Sequence, residues 1–208
     1  MTAGSGGIRV VPADEAAWED LRTIFGTRGP AAVCQCQRYK LAPRESFAKV
    51  PVEDRAARLR EQTGAGQPGG GPTSGLVAYL DGTPAGWCAV EPRANYAGLL
   101  RTYRVPWEGR QEDRTDTTVW ALTCLFTRAG HRKRGVAKAL ARAAVDFARE
   151  RGARALEAYP IVTKQVISEE LHVGTVATFA EAGLHEVGRP SPRRMVMRID
   201  FTDGPGEP

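Results

Sequence analysis

Apolar and polar positions along the chain switch between two periods. "IRVVPAD" (8–14) is a short apolar run that stops at Pro12, the pattern of a strand, with Asp14 placed to cap a following helix. Trp18, Leu21 and Phe25 then recur at i, i+3 and i+7, one apolar stripe of a helix over 15–25, ended by Gly26 and the Arg-Gly-Pro that comes after it. Residues 27–45 show no period and read as irregular. Val52, Ala56 and Leu59 share a face of a second helix over 51–63, with Pro51 at its first turn and Glu53 and Asp54 at its positive end.

Period two takes over after a Gly/Pro-rich stretch, "GAGQPGGGPTSG" (64–75). Residues 76–92 hold two runs of strand formers around Asp-Gly-Thr-Pro, a hairpin signal. A charged loop (101–114) precedes a third strand, 118–127. Helical spacing returns over 135–151, with Val136, Leu140, Ala143 and Phe147 on one side, Lys138, Arg142, Asp146 and Arg149 mostly on the other, and Gly152 as the stop. Residues 153–160 read as a strand, 174–183 as a short helix ended by Gly183, and 193–201 as a last strand before a frayed tail (202–208). The order is β-α-α-β-β-β-α-β-α-β. Hairpin-linked strands before a βαβ unit imply an α/β (α+β) fold, a mixed sheet with helices on both faces.

With 208 residues the chain suits one domain, 1–208, with 64–75 as a flexible connector. Hydrophobic residues are 42% and charged ones 25%, as in ordinary globular proteins. The longest apolar stretch, Val119 to Phe126, is too short to span a bilayer, and the start lacks the cationic and apolar regions of a secretory signal, so a cytoplasmic location is expected. The net charge of +5 favours an anionic ligand. Scattered arginines and few aromatics argue against nucleic acid. Residues 64–69 match G-x-G-x-x-G literally, but a helix precedes them and a strand comes next, the reverse of a dinucleotide loop. Cys88 and Cys124 sit in apolar runs and read as core thiols. Cys34 and Cys36 form C-x-C without a second ligand pair, so structural or pocket-lining thiols are expected and no metal.

"RKRGVA" (132–137) carries the chemistry. Three cations run into Gly135 where a strand has ended and a helix begins. The first N–H groups of a helix lack internal partners and the helix dipole favours an anion there. Gly135 and Ala137 leave room for close approach, and Arg132 and Arg134 add attraction. The arrangement suits a pyrophosphate. In this context, Arg132-x-x-Gly135-x-Ala137 resembles the acyl-CoA pyrophosphate loop of the GNAT N-acetyltransferase superfamily, R/Q-x-x-G-x-G/A. The flanking elements of 118–160, the "GTVATFAEAGL" ending (174–184) and the element order across 8–201 are similar to that superfamily as well.

The resemblance implies a mostly antiparallel sheet in which two parallel strands, 118–127 and 153–160, splay apart around acetyl-CoA. It implies that Leu125, Phe126 and Thr127 bind the pantetheine, that Arg132, Lys133, Arg134, Gly135, Val136 and Ala137 hold the pyrophosphate, and that an amine attacks the thioester directly, without an acyl-enzyme. The acceptor is expected to be a small-molecule amine, with a protein N-terminus or lysine as the alternative. A non-catalytic acyl-CoA sensor is the reading from another class. The expected state is a monomer or homodimer. The chain departs from the family where a Tyr often supplies a proton, since Phe179 holds that position, and where an Asn often touches the pantetheine, since His172 replaces it. Tyr159, His172 or a thiol of Cys34 or Cys36 is then the candidate acid. Glu157, a carboxylate inside a splayed strand, is the first candidate base and Glu91 the second. Each has a plainer alternative: an ion pair for Glu157, a packed ring for Tyr159. Trp107, Tyr39, Glu169 and Glu170 are expected in or near the acceptor site.

Overall fold

The computed structural model describes residues 7–101, 103–162 and 170–201. Thirteen regular elements are found among them: β1 (Ile8–Pro12), α1 (Trp18–Phe25), α2 (Gly29–Cys34), α3 (Val52–Thr63), β2 (Leu76–Leu80), β3 (Thr83–Pro92), α4 (Ala97–Arg101), β4 (Val119–Thr127), α5 (Val136–Glu150), β5 (Ala155–Ala158), α6 (Val176–Glu181), β6 (His185–Ser191) and β7 (Arg194–Asp200). The seven strands form one sheet in the order β1-β2-β3-β4-β5-β7-β6. Every pairing is antiparallel except β4 with β5.

Local chemistry explains most elements. Asp81 and Gly82 close the β2–β3 hairpin with φ of 53° and 78°, the left-handed pair that a two-residue turn demands. The amphipathic α5 lies on β3 at Gly86, where an added Cβ would stand 2.6 Å from Val136 Cγ1. Apolar side chains on this face of the sheet form a core with α5 and α6 that includes Leu122, Leu125, Leu140, Leu156 and Phe179. The opposite face packs Leu21, Ile24, Phe25 and Leu59 from α1 and α3 against Val77, Trp87 and Ala89.

Three elements lack a local signal in the sequence. The aperiodic stretch 27–45 holds α2, which has Pro30 in its first turn and ends where Gln35 (φ 47°) and Cys36 (φ 54°) turn left-handed. The short α4 falls inside a segment with no helical period. β6 lies at the sheet edge and is largely exposed, so no apolar alternation marks it, and an edge tolerates its Pro190. Asp14 does not cap α1, whose N-cap is Ala17. Its carboxylate instead accepts from Gly69 N (3.1 Å), and its carbonyl accepts from Gly66 N (3.1 Å). With Thr73 Oγ1 donating to the Thr63 carbonyl (2.7 Å), these bonds tie residues 64–75 to the turn after β1 and to α3.

Two features of β4 give its C-terminal half a distinct geometry. First, its pairing with β3 slips at Thr123: Ala89 faces Cys124 while Val90 faces Leu122. This bulge puts Leu122 and Leu125 on the α5 side despite their odd spacing, and turns Cys124 and Phe126 to the other face. Second, β5 pairs with β4 only from Val119↔Ala155 to Leu122↔Ala158. Beyond that the chain turns away, and Ile161 bridges to Thr175 and Arg194. From Thr123 to Thr127 the free edge of β4 has no strand partner among the described residues.

Candidate functional site

The opening between β4 and the departing chain leads into a cavity of about 750 Å³. Leu125, Phe126 and Thr127 line one wall, from β4. Arg132, Lys133, Gly135, Val136, Ala137 and Lys138 line the end where α5 starts. Leu171, His172, Gly174, Thr175 and Thr178 come from the turn into α6, and Phe25, Pro30, Ala31, Cys34, Cys36, Arg38 and Cys124 close the far side. Eight of the nine residues expected at the cofactor thus converge. The exception is the Arg134 side chain, which leaves the cavity to pair with Asp81 at 3.0 Å.

Gly135 is the N-cap of α5 with φ 84°, and no side chain caps the helix. The first internal bond runs from Ala139 N to Gly135 O (3.0 Å), so the preceding amides keep their hydrogens for a ligand. An added Cβ at Gly135 would meet only Ile8 Cδ1 at 3.5 Å. Its role is therefore conformational: positive φ aims the helix start at the cavity. Lys133, also left-handed at φ 61°, and Arg132 border the same end. Bare amides, a cap without a side chain and two cations fit a diphosphate.

The structure corrects the placement of Glu157. Its side chain has no exposure and does not line the cavity. Period two in β5 sends it with Tyr159 to the face away from α5, where residues 110–113 fold over it. Arg93 (3.1 Å), Arg198 (2.9 Å) and Arg110 bind its two oxygens, and the Tyr159 hydroxyl donates to it at 2.9 Å. Glu112 bridges the same three arginines. Burial alone pushes the Glu157 carboxyl up. The Arg110 hydrogen bond and the charges of Arg110 and Arg93 outweigh it and hold the group below the usual carboxylate value. A carboxylate so clamped is a poor base for an amine. Tyr159 is corrected with it: its hydroxyl is committed to Glu157, and burial followed by that negative charge pushes its pKa far up.

The second base candidate, Glu91, also stays outside the cavity and is bound by Lys40, Ser74 and Asn95. Trp107 is buried between the guanidinium groups of Arg93 and Arg114, with its indole N–H on the Leu99 carbonyl (3.1 Å), and serves the ion-pair layer. Glu170 pairs with Arg193 at 2.8 Å, and Glu169 lies outside the described residues. Tyr39 sits beside the site, its ring 6.4 Å from His172 and 4.6 Å from Tyr103. Phe179 is wholly buried against Gly174, where an added Cβ would lie 2.6 Å from the ring. It is core, not site.

Of the three expected catalytic residues, His172 alone lines the cavity. Three thiols do so as well. Cys124, expected in the core, is turned toward the cavity wall by the bulge. A hydrogen bond with Cys36, then burial, raise its pKa, and burial followed by Cys36 raises that of Cys34. These two thiols stay protonated and are poor nucleophiles. Cys36 accepts from the Trp87 indole at 3.0 Å. Cys34 and Cys36 are expected from the sequence as structural or pocket-lining thiols; the signal for Cys124 and Arg38 lies in the meeting of the turns after α2 with β4, where Cys36 hydrogen-bonds Cys124, which no local pattern reports. Among the described residues, no group of three or more His, Cys, Asp or Glu is placed to hold a metal, and no helix is long and apolar enough to cross a membrane.

Comparison with known proteins bears on this geometry. The family described as "Acetyltransferase (GNAT) family" matches residues 37–172, about two thirds of the chain. No curated protein matches significantly. An N-acetyltransferase from Staphylococcus aureus Mu50 superposes with a TM-score of 0.54 at 12% identity, over 93% of this chain and 98% of that one. A GCN5-related N-acetyltransferase from Kribbella flavida gives 0.53 at 18%, with 93% and 98% covered. A putative acetyltransferase from Salmonella typhimurium, solved with acetyl-CoA, gives 0.53 at 13%, with 96% of each chain covered. At these identities the likeness is one of fold.

Proposed function

Since the chain belongs to the GNAT acetyltransferase family, we propose that it transfers the acetyl group of acetyl-CoA to a primary amine of a small molecule, by direct attack on the thioester. One observation carries this reading: a single cavity joins the uncapped start of α5 to the unpaired edge of β4. The Salmonella protein of the same fold binds acetyl-CoA. The amides from Arg134 to Ala137, with Arg132 and Lys133, hold the pyrophosphate. The open edge of β4 at Leu125 to Thr127 hydrogen-bonds the pantetheine and points donors at the oxygen where charge develops during attack.

His172 is the titratable group we place at the transfer point. It lines the cavity, and imidazole changes charge in the physiological range. As a neutral base it takes the proton the amine loses. As imidazolium it returns a proton to the departing sulfur, so no second acid is needed. Among the described residues no carboxylate lines this cavity, and the thiols of Cys34 and Cys124 are kept neutral. The free cysteines fit a reducing compartment, and we place the reaction in the cytoplasm.

Incubation with acetyl-CoA and a panel of amines, with free CoA quantified by chromatography, tests the reading. Amine-dependent CoA release and a matching acetylated product are expected, and His172→Ala should lower turnover about 10²–10⁴-fold, far more than it lowers CoA affinity. Tight CoA binding with a release rate indifferent to every amine would show a binding module instead.

A further inference from the structure

A second cavity, of about 470 Å³, adjoins the transfer site, and Arg38 lines both. Its walls come from the 41–47 segment and from α4 with the residues after it, and they carry Arg38, Arg44, Arg101, Phe47 and Tyr103. All three arginines are exposed, unlike the buried Arg93 and Arg198 of the Glu157 and Glu112 network. Among the described residues, none of these three guanidinium groups makes an ion pair. Arg101 spends its donors on the carbonyls of Ala97 (3.2 Å) and Leu41 (3.3 Å), and Arg38 stacks over Phe47 at 5.1 Å. The lining's single carboxylate, Glu45, is already held by Arg58 (2.7 Å) and by Ala42 N (2.8 Å). Three uncompensated cations therefore surround a space with room for a small ligand.

The coenzyme's diphosphate does not account for them. Residues 93–101 come after the Pro92 end of β3, which pairs with Trp120, whereas the diphosphate site lies past Thr127. The seven steps of β4 between these points span about 23 Å at the strand rise. The second cavity meets the first at Arg38.

We infer that the acceptor amine carries an anionic group, a carboxylate or an equivalent oxyanion, which Arg38 and its neighbours Arg44 and Arg101 bind while the amine reaches His172. This deepens the proposed function and rests on it. Planar guanidinium groups suit such oxyanions. Arg38, shared by the two cavities, sets the acceptor's position, and Tyr103 and Phe47 wall its carbon chain.

Two measurements test this independently. The first compares kcat/KM for ω-amino acids with that for n-alkylamines of equal length. The second uses calorimetry with saturating CoA to measure binding of N-acetyl ω-amino acids and of N-acetylalkylamines. In both, the carboxylate-bearing series should be favoured about 10-fold or more, the scale of one charge-assisted bond. Arg44→Gln and Arg101→Gln, neither of which lines the coenzyme cavity, should erase the preference while leaving CoA affinity as it was. Equal binding of the two series, or a preference that survives both substitutions, would overturn the inference. Selective binding without turnover of any amine would leave the anion site standing and remove the transferase reading beneath it.

Discussion

Glu157→Gln separates two roles for one carboxylate. In the folded chain Glu157 is unexposed and is shared by Arg93, Arg110, Arg198 and the Tyr159 hydroxyl. Glutamine keeps the shape but removes the charge, leaving three guanidinium groups to the partly exposed Glu112 and, for Arg198 alone, the exposed Asp200. Breaking a buried ion pair from one side costs about 3–5 kcal/mol. For a domain of this size that corresponds to a fall in Tm of about 6–20 °C. Thermal unfolding monitored by circular dichroism measures it, with kinetics taken well below the lowered transition. Turnover per folded enzyme should be close to that of the wild type. If the variant folds too poorly to assay, Glu157→Gln with Arg110→Gln removes charge from both sides and should recover part of the loss. The effect also has a pH signature. The folded carboxyl is held below its ordinary value, so its contribution is complete above the unfolded pKa of about 4.3 and fades as pH falls through the folded value. The gap in Tm between wild type and variant should therefore narrow on acidification below about pH 4. An unchanged Tm with a kcat reduced 100-fold would refute this reasoning and restore Glu157 as the base.

Gly135→Val places a β-branched side chain at φ 84°, which costs about 1–3 kcal/mol where the α5 amides turn to the cavity; CoA affinity by calorimetry should fall about 10-fold or more while Tm drops only a few degrees, and an unchanged affinity would remove the diphosphate from this loop. Cys34 and Cys36 should be alkylated in the native protein without release of zinc, and CoA should slow the reaction because both line its cavity; Cys88, wholly buried, should react only on unfolding, and stoichiometric zinc or indifference to CoA would contradict this.

Much of the fold was legible because it rests on local periodicity. Val136, Leu140 and Phe147 recur at helical spacing and do face one core, and Asp81-Gly82 between strand-forming runs does make the hairpin turn. The loop before α5 was legible for a similar reason: a helix start after a strand, with Gly135 at its cap, is defined within six residues. β6, α2 and α4 were missed because edge exposure and shortness leave no period to read. Glu157 misled because a carboxylate in an apolar strand has the same sequence signature whether it serves chemistry or anchors arginines. Its partners Arg93, Arg110 and Arg198 are spread from 41 to 64 residues away in the chain.

The sequence by itself thus determined the order of the longer elements, the faces of the longer helices and the start of α5 at Gly135, since backbone geometry ties each to residues a few positions apart. Only the tertiary structure decided which side chains share a cavity. The bulge at Thr123 reverses the facing of Cys124 and Phe126, β5 leaves β4 after Leu122, and the turns after α2 bring Arg38 between two cavities. Each depends on contacts between segments far apart in the chain, where packing and charge balance settle what neighbouring residues do not encode.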